Sequence, residues 1–177
     1  PEQNIYTLDG TVSQDCVQEQ CRLYEERIQT FGGLDAALFG IGRNGNIAVN
    51  EPGSSLASPT RIILIDPLSR EEMTNSFANG EQVPPCSITM GIGTILKARK
   101  LYVTAWGEEK AGIVKAAVES NISDTCPASF IQTHENADMV IDLGAASELT
   151  RIKHPWLVTS CKWDDKLVRS ALVWLCG

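Results

Sequence analysis

Apolar side chains recur at Val17, Cys21, Tyr24, Ile28 and Phe31. That spacing of three or four residues lays one apolar stripe along a helix predicted over 11–31. Thr11 or Ser13 is placed to cap its start, and Gly32-Gly33 to stop it. Glu25 and Glu26 fall in a charged run of this helix and are read as part of a solvated face. The pattern then changes to short, nearly continuous apolar runs. Those at 36–41, 61–66, 87–90, 101–106 and 139–141 are predicted strands, too short for surface helices.

Between the strands the helical pattern returns. After Pro67 a short helix carries Glu71, Glu72 and Met73, with Ser69 as its expected cap. Gly91-Ile92-Gly93-Thr94 is a glycine turn leading into a helical piece to about Arg99. Ile113, Val114, Ala117 and Val118 mark a helix over 109–119 packed on a sheet. Shorter helical pieces are expected at 127–133 and 145–149, and Asn79-Gly80 marks a turn. Alternation of strand and helix predicts the α/β class, with a mostly parallel sheet and helices on its faces. Residues 1–150 are expected to form this unit, and 151–177 an extension or linker. Asp164 or Asp165 would cap a final helix there, bearing Leu167, Ala171, Leu172, Trp174 and Leu175. That helix packs either on its own sheet or on something outside this chain.

Composition narrows the function classes. The 177 residues suffice for one domain with a sizeable core, and 43% are hydrophobic. The net charge of −7 argues against a nucleic-acid partner, which needs clustered Lys and Arg. A few local donors can still hold one phosphate against that field. No apolar run approaches the roughly 20 residues of a membrane span. The start, Pro1-Glu2-Gln3-Asn4, has neither a basic nor an apolar leader region and no initiator methionine. A cytoplasmic protein, trimmed or partial at its start, is the expectation. Cys16, Cys21, Cys86, Cys126, Cys161 and Cys176 form no C-x-x-C pair, and the two histidines have no metal-ligand spacing. Buried free thiols and no metal site are expected.

The informative stretch is 40–55, GIGRNGNIAVNEPGSS. A predicted strand runs into Gly42 and Gly45 around Arg43-Asn44. A short apolar stretch and then Asn50-Glu51-Pro52-Gly53-Ser54-Ser55 follow. A strand entering a glycine-rich loop places backbone N–H groups and short side chains at the carboxyl end of a sheet, where open α/β sheets bind ligands. Asn50 to Ser55, preceded by Gly40-Ile41-Gly42-x-x-Gly45, resembles the signature of the glucosamine-6-phosphate deaminase (isomerase) family, which includes galactosamine-6-phosphate isomerases. Further matching pieces follow in order at 58–61, 83–84, 89–96, 107–111 and 127–134. The likeness runs from about residue 4 to 149 and covers the second half of the family's domain.

The resemblance implies a Rossmann-like sheet, an aminosugar 6-phosphate substrate and no metal or organic cofactor. In the family's Gly-x-Asp-Gly-His loop and Asn-Glu-Pro element, the Asp, His and Glu relay protons for ring opening. Glu51 matches the glutamate, while Asn44 and Asn46 stand where the aspartate and histidine are expected. An amide does not titrate near neutral pH but still hydrogen-bonds a hydroxyl. Glu51, Asn44 and Asn46 are thus the candidate catalytic positions. Gly42, Gly45, Asn50 and Arg43 are the candidate binding positions, with Lys110 matching the family's phosphate-binding lysine at a helix start. The family's phosphate-binding arginine is expected near Asn75-Ser76 and is missing, with Arg70 a possible substitute. His134 also matches a family position, with a structural role as the alternative reading. The family's glycine/serine phosphate loop and its proton-moving aspartate would lie upstream of Pro1. The tail resembles that of proteins in which such a domain is fused to a deacetylase-like one.

Three functions are compatible with these residues. One is a deaminating aldose–ketose isomerase of reduced activity as this chain. Another is a sugar-phosphate-binding or regulatory module without catalysis. The third is a hydrolase of the 6-phosphogluconolactonase type. A sheet missing half its domain would leave an apolar face and an edge to be covered by self-association, an upstream segment or a fused domain.

Overall fold

The computed structural model describes residues 4–74, 77 and 82–176. The expected turn at Asn79-Gly80 and the expected arginine position at Asn75-Ser76 lie outside these. α1 (Gln14–Thr30) buries Val17 and Cys21. It starts at Ser13 and not at Thr11, because the Thr11 N–H and hydroxyl are both held by the Asp9 carboxylate in a preceding turn.

β1 (Ala36–Gly40), β4 (Lys100–Ala105) and β5 (Ala137–Ile141) form a three-stranded parallel sheet in the order β1-β4-β5. Between β1 and β4 the chain makes an antiparallel pair, β2 (Arg61–Leu64) with β3 (Cys86–Thr89). The fold is α/β with a mostly parallel sheet, as the alternation implies.

One face of the three-stranded sheet carries the core. Phe39, Leu101 and Val103 pack there with Ile41, Ile47, Ile92, Ala117, Ala128 and Phe130. α4 (Ala111–Glu119) and a 3₁₀ helix (Pro127–Thr133) cover it, giving Ala117 and Phe130 to this cluster. The side chains of alternate residues point the other way, and Leu38, Tyr102 and Val140 on that face are 73%, 40% and 49% exposed.

The short helices position the loops. α2 (Pro67–Met73) is capped by Asp66, whose carboxylate accepts the Leu68 N–H at 2.8 Å. The preceding strand therefore ends at Leu64, and Ser69 is not the cap but a buried residue one turn in. α3 (Ile92–Ile95) begins at Gly91, where a Cβ would sit 2.0 Å from the Ser58 carbonyl oxygen. Gly91 thus lets β3 and α3 close against 58–59. A 3₁₀ turn (Glu108–Lys110) leads into α4, with Asp142 accepting the Gly107 N–H at 3.1 Å.

α5 (Leu143–Ala146), α6 (Thr150–Lys153), a 3₁₀ turn (Pro155–Leu157) and α7 (Asp165–Cys176) complete the chain. Asp164 accepts the Leu167 N–H at the start of α7. His154, Trp156, Trp163 and Trp174 gather into one aromatic cluster with ring centroids 5.3–6.3 Å apart. No helix among the described residues is long and apolar enough to cross a membrane. The six cysteines are free, but only Cys21 is buried, so burial of all six does not hold. Cys16 and Cys176 are exposed on α1 and α7, and Cys86, Cys126 and Cys161 are half-buried, Cys126 against the core.

Candidate functional site

The 41–51 loop is built by its own backbone. Ile41 leaves β1 with its N–H still on Thr104 O, and Gly42 N–H reaches Asn46 O at 3.0 Å. A Cβ on Gly42 would lie 2.6–2.8 Å from the Asn46 side chain. Gly45 has φ +83°, and a Cβ there would meet Cys126 Sγ at 2.9 Å. Both glycines therefore supply room and backbone geometry. Ala48 and Val49 have φ of 46° and 55°. That region is costly for a β-branched residue, about 1–3 kcal/mol, and such strain concentrates at binding loops.

Buried bonds hold this conformation. Asn50 is completely buried and donates to Ile47 O and Met90 O, both at 2.9 Å. Its Oδ1 accepts from Arg61 Nη1 at 2.8 Å, and the same guanidinium donates to Ser54 Oγ at 2.9 Å. The Asn50 side chain thus braces the loop from inside rather than facing its open side. Thr89 Oγ1 donates to Ala48 O.

The loop brings Asn44, Asn46 and Glu51 together. Glu51 Oε2 accepts from Asn44 Nδ2 at 2.7 Å, Asn46 Nδ2 at 3.3 Å and Ser69 Oγ at 3.0 Å. Glu51 Oε1 receives the Asp66 N–H at 3.3 Å. Asn44 Oδ1 in turn accepts the Asn46 N–H at 3.0 Å. Ser69, 2% exposed, accepts from Asn46 Nδ2 at 2.7 Å and Asn44 Nδ2 at 3.2 Å while donating to Glu51. It is the member of this constellation that the sequence reading missed, having placed it as a helix cap. Oε2 is saturated with donors, so Oε1 is the oxygen with capacity for a ligand proton.

A second constellation lies one helical turn along α2. Glu72 Oε1 receives Lys110 Nζ at 2.6 Å and Arg43 Nε at 3.1 Å, and Glu72 Oε2 receives the Arg43 N–H at 3.2 Å. Glu71 stands 3.6 Å from Arg43 Nη2. Burial works to raise the Glu72 pKa, but the Lys110 ammonium and the Arg43 N–H and guanidinium outweigh it and hold the carboxyl below the usual range. Ser69 and Glu72, three residues apart, share one face of α2. That face links the Asn44–Asn46–Glu51 group to the Arg43–Lys110 pair.

The remaining candidates are placed elsewhere. Arg70 donates to Val83 O at 3.1 Å and joins neither group. His134 bridges Ala98 O, through Nε2 at 2.7 Å, and the Asn136 N–H, through Nδ1 at 3.1 Å, so the first nitrogen donates and the second accepts. This is the structural role. Glu25 departs from the solvated face expected of it. Its Oε1 accepts from the Thr60 N–H at 2.8 Å, the Thr94 hydroxyl at 2.6 Å and the Thr60 hydroxyl, pinning α1 to β2 and α3. A cavity of about 420 Å³ between α1 and β2 is bounded by Cys21, Glu25, Pro59 and Ile62 and includes none of the loop candidates. No group of three or more His, Cys, Asp or Glu among the described residues is arranged to hold a metal.

The model of the glucosamine-6-phosphate isomerases/6-phosphogluconolactonase family matches residues 1–140. A glucosamine-6-phosphate deaminase-like protein of Bacteroides thetaiotaomicron is 61% identical over 175 residues, which cover 99% of this chain and 26% of that protein. The glucosamine-6-phosphate deaminase of Shewanella loihica is 51% identical over 129 residues, 73% of this chain and 48% of that enzyme. The structure of a monomeric glucosamine-6-phosphate deaminase superposes with a TM-score of 0.79 at 34% identity, over 84% of this chain and 61% of that one. A 6-phosphogluconolactonase from Trypanosoma brucei, at 19% identity and a TM-score of 0.61, shares the fold. The chain spans about half the length of such deaminases (48% and 51% for two of them).

Proposed function

Because the chain belongs to the glucosamine-6-phosphate isomerase/6-phosphogluconolactonase family, we propose that its loop is the sugar-binding part of an aminosugar 6-phosphate deaminating isomerase. The observation that carries this is the convergence of Asn44, Asn46, Ser69 and the Asp66 N–H on the Glu51 carboxylate. The reaction opens the sugar ring and moves a proton from C2 towards C1, and water then hydrolyses the resulting C2 imine to ammonia and the ketose phosphate. Ring opening needs an acid/base at the ring oxygen and anomeric hydroxyl. Glu51 Oε1 fills that role, and the amides of Asn44 and Asn46 fix its orientation through Oε2. Lys110 and Arg43 face the phosphate end, where cations and N–H donors suit an anion.

The same amides favour reduced activity. Asn44 and Asn46 exchange no protons, so Glu51 is the one titratable member of its constellation. The C2 proton is assigned to no residue of this chain. Hence we propose that the 177 residues alone bind the substrate with little or no turnover. A pure binding module is the second reading, and the two non-titrating amides are what favour it. Residues 1–150 would act as the binding unit and 151–177 as an extension.

The test offers the purified, folded chain glucosamine 6-phosphate and galactosamine 6-phosphate in parallel. Binding is followed by calorimetry and turnover by ammonia release, with Glu51→Gln alongside. Saturable binding of either sugar, weakened by Glu51→Gln, is expected. Slow ammonia release that Glu51→Gln abolishes would select the isomerase, and binding without release the module. A chain that binds neither sugar would end both readings.

A further inference from the structure

The Arg43–Glu72–Lys110 group has the composition of an anion site with the anion supplied from within. Two cations and one backbone N–H are aimed at a single carboxylate. They approach the α2 carboxylate within 2.6–3.2 Å, from the loop and from the turn before α4. These are the contacts that a phosphate monoester would make, with charge-assisted N–H donors from separate elements. The Lys110 and Glu72 side chains are 16% and 24% exposed, so the pair is shielded from water more than an ordinary surface bridge. α2 fixes Glu72 there independently of any ligand, because Ser69 on the same face is anchored under Glu51.

We propose that Glu72 occupies the phosphate subsite of this loop and sets its ligand affinity by competing with the incoming phosphate. This deepens the functional reading above and rests on it for the sugar part alone. A phosphate bound at Arg43 and Lys110 must displace a carboxylate that is already hydrogen-bonded, and the displaced charge then repels it. Sugar phosphates therefore bind weakly to this chain as it stands. A ligand lacking the phosphate loses little by comparison, since the site is neutralised without it.

The experiment titrates inorganic phosphate and glucosamine 6-phosphate into the unmodified chain, Glu72→Gln, Glu72→Ala and Glu71→Gln, by calorimetry. Far-UV circular dichroism is recorded on each to verify folding. Glu71→Gln removes the same charge from the same helix but from a position 3.6 Å off the guanidinium. It therefore controls for the general change in field. Either Glu72 variant should bind inorganic phosphate about tenfold more tightly than the unmodified chain, the worth of one recovered charge-assisted contact. Glu71→Gln should shift it far less, and adding Lys110→Met to a Glu72 variant should remove the gain. Equal affinity across the series overturns the proposal, as does an equal gain in Glu71→Gln or a gain that survives Lys110→Met. If phosphate binding improves but glucosamine 6-phosphate binds no better than inorganic phosphate, the self-occupied subsite stands and the aminosugar reading falls.

Discussion

Ser69 Oγ is a junction for three side chains, accepting from two amides and donating to Glu51. Ser69→Ala would leave Asn46 Nδ2, on a residue only 8% exposed, without its shortest bond. An unmet buried donor costs about 1–3 kcal/mol. The denaturant midpoint of Ser69→Ala should fall by a matching amount with the slope unchanged, and the affinity for a sugar phosphate should fall with it. An unchanged midpoint would mean that water replaces the hydroxyl without loss. The residues nearest Glu51 in sequence were legible because a glycine-rich loop and the Asn-Glu-Pro run are local signals. Ser69 was not, since its role depends on Asp66 taking the capping position and turning it inward. Glu25 looked like an ordinary helical charge, and Glu72 like no more than a member of a short helix, for a similar reason. Their partners lie 35 and 38 positions away, at Thr60 and Lys110, and helical periodicity carries no information about such contacts.

At the scale of elements, Glu25 decides how α1 is held. Burial opposes its ionised form, but the Thr60 and Thr94 hydroxyls, the Thr60 N–H and the nearby Lys97 charge outweigh that and lower its pKa from 4.5. With the folded pKa depressed, the ionised carboxylate contributes stability that is fully present above the unfolded pKa. It is lost as pH falls through the lower folded value. Glu25→Gln should therefore be less stable than the unmodified chain at pH 7. The gap between them should narrow below about pH 4. Urea denaturation at several pH values measures this, and a gap independent of pH would place the loss in packing rather than charge. Element types and order were largely readable from apolar periodicity. Boundaries moved where a side chain competed for the cap, as Asp9 does for Thr11 and Asp66 does for the end of β2.

The whole molecule is asymmetric about its parallel sheet. One face is closed by α4 and the Pro127–Thr133 turn, while Leu38, Tyr102 and Val140 lie open on the other. Among the described residues β1 is also an edge strand, with β4 on one side only. An exposed apolar face beside an unpaired edge promotes association. Sedimentation velocity should show the purified chain shifting to larger species as its concentration rises, and Leu38→Lys should reduce the shift. A single monomeric boundary at all concentrations would show that the face is tolerated in water. The alternation of strands and helices disclosed the class of fold, but it could not show which face stays open. That depends on which elements return to cover the sheet, a property of chain connectivity and not of local pattern.

The aromatic cluster at the end of the chain has an optical consequence. Trp156, Trp163 and Trp174 are three of the four indoles, and the fourth, Trp106, follows β4. Intrinsic emission is thus weighted towards 154–174, with the His154 ring 5.3 Å from Trp156 as a neighbouring quencher. The loop that holds Glu51 contains no indole and is dark to this signal. Fluorescence would follow the packing of the tail, whereas ellipticity would follow the sheet and helices, so any lag between the two traces would time the detachment of one from the other.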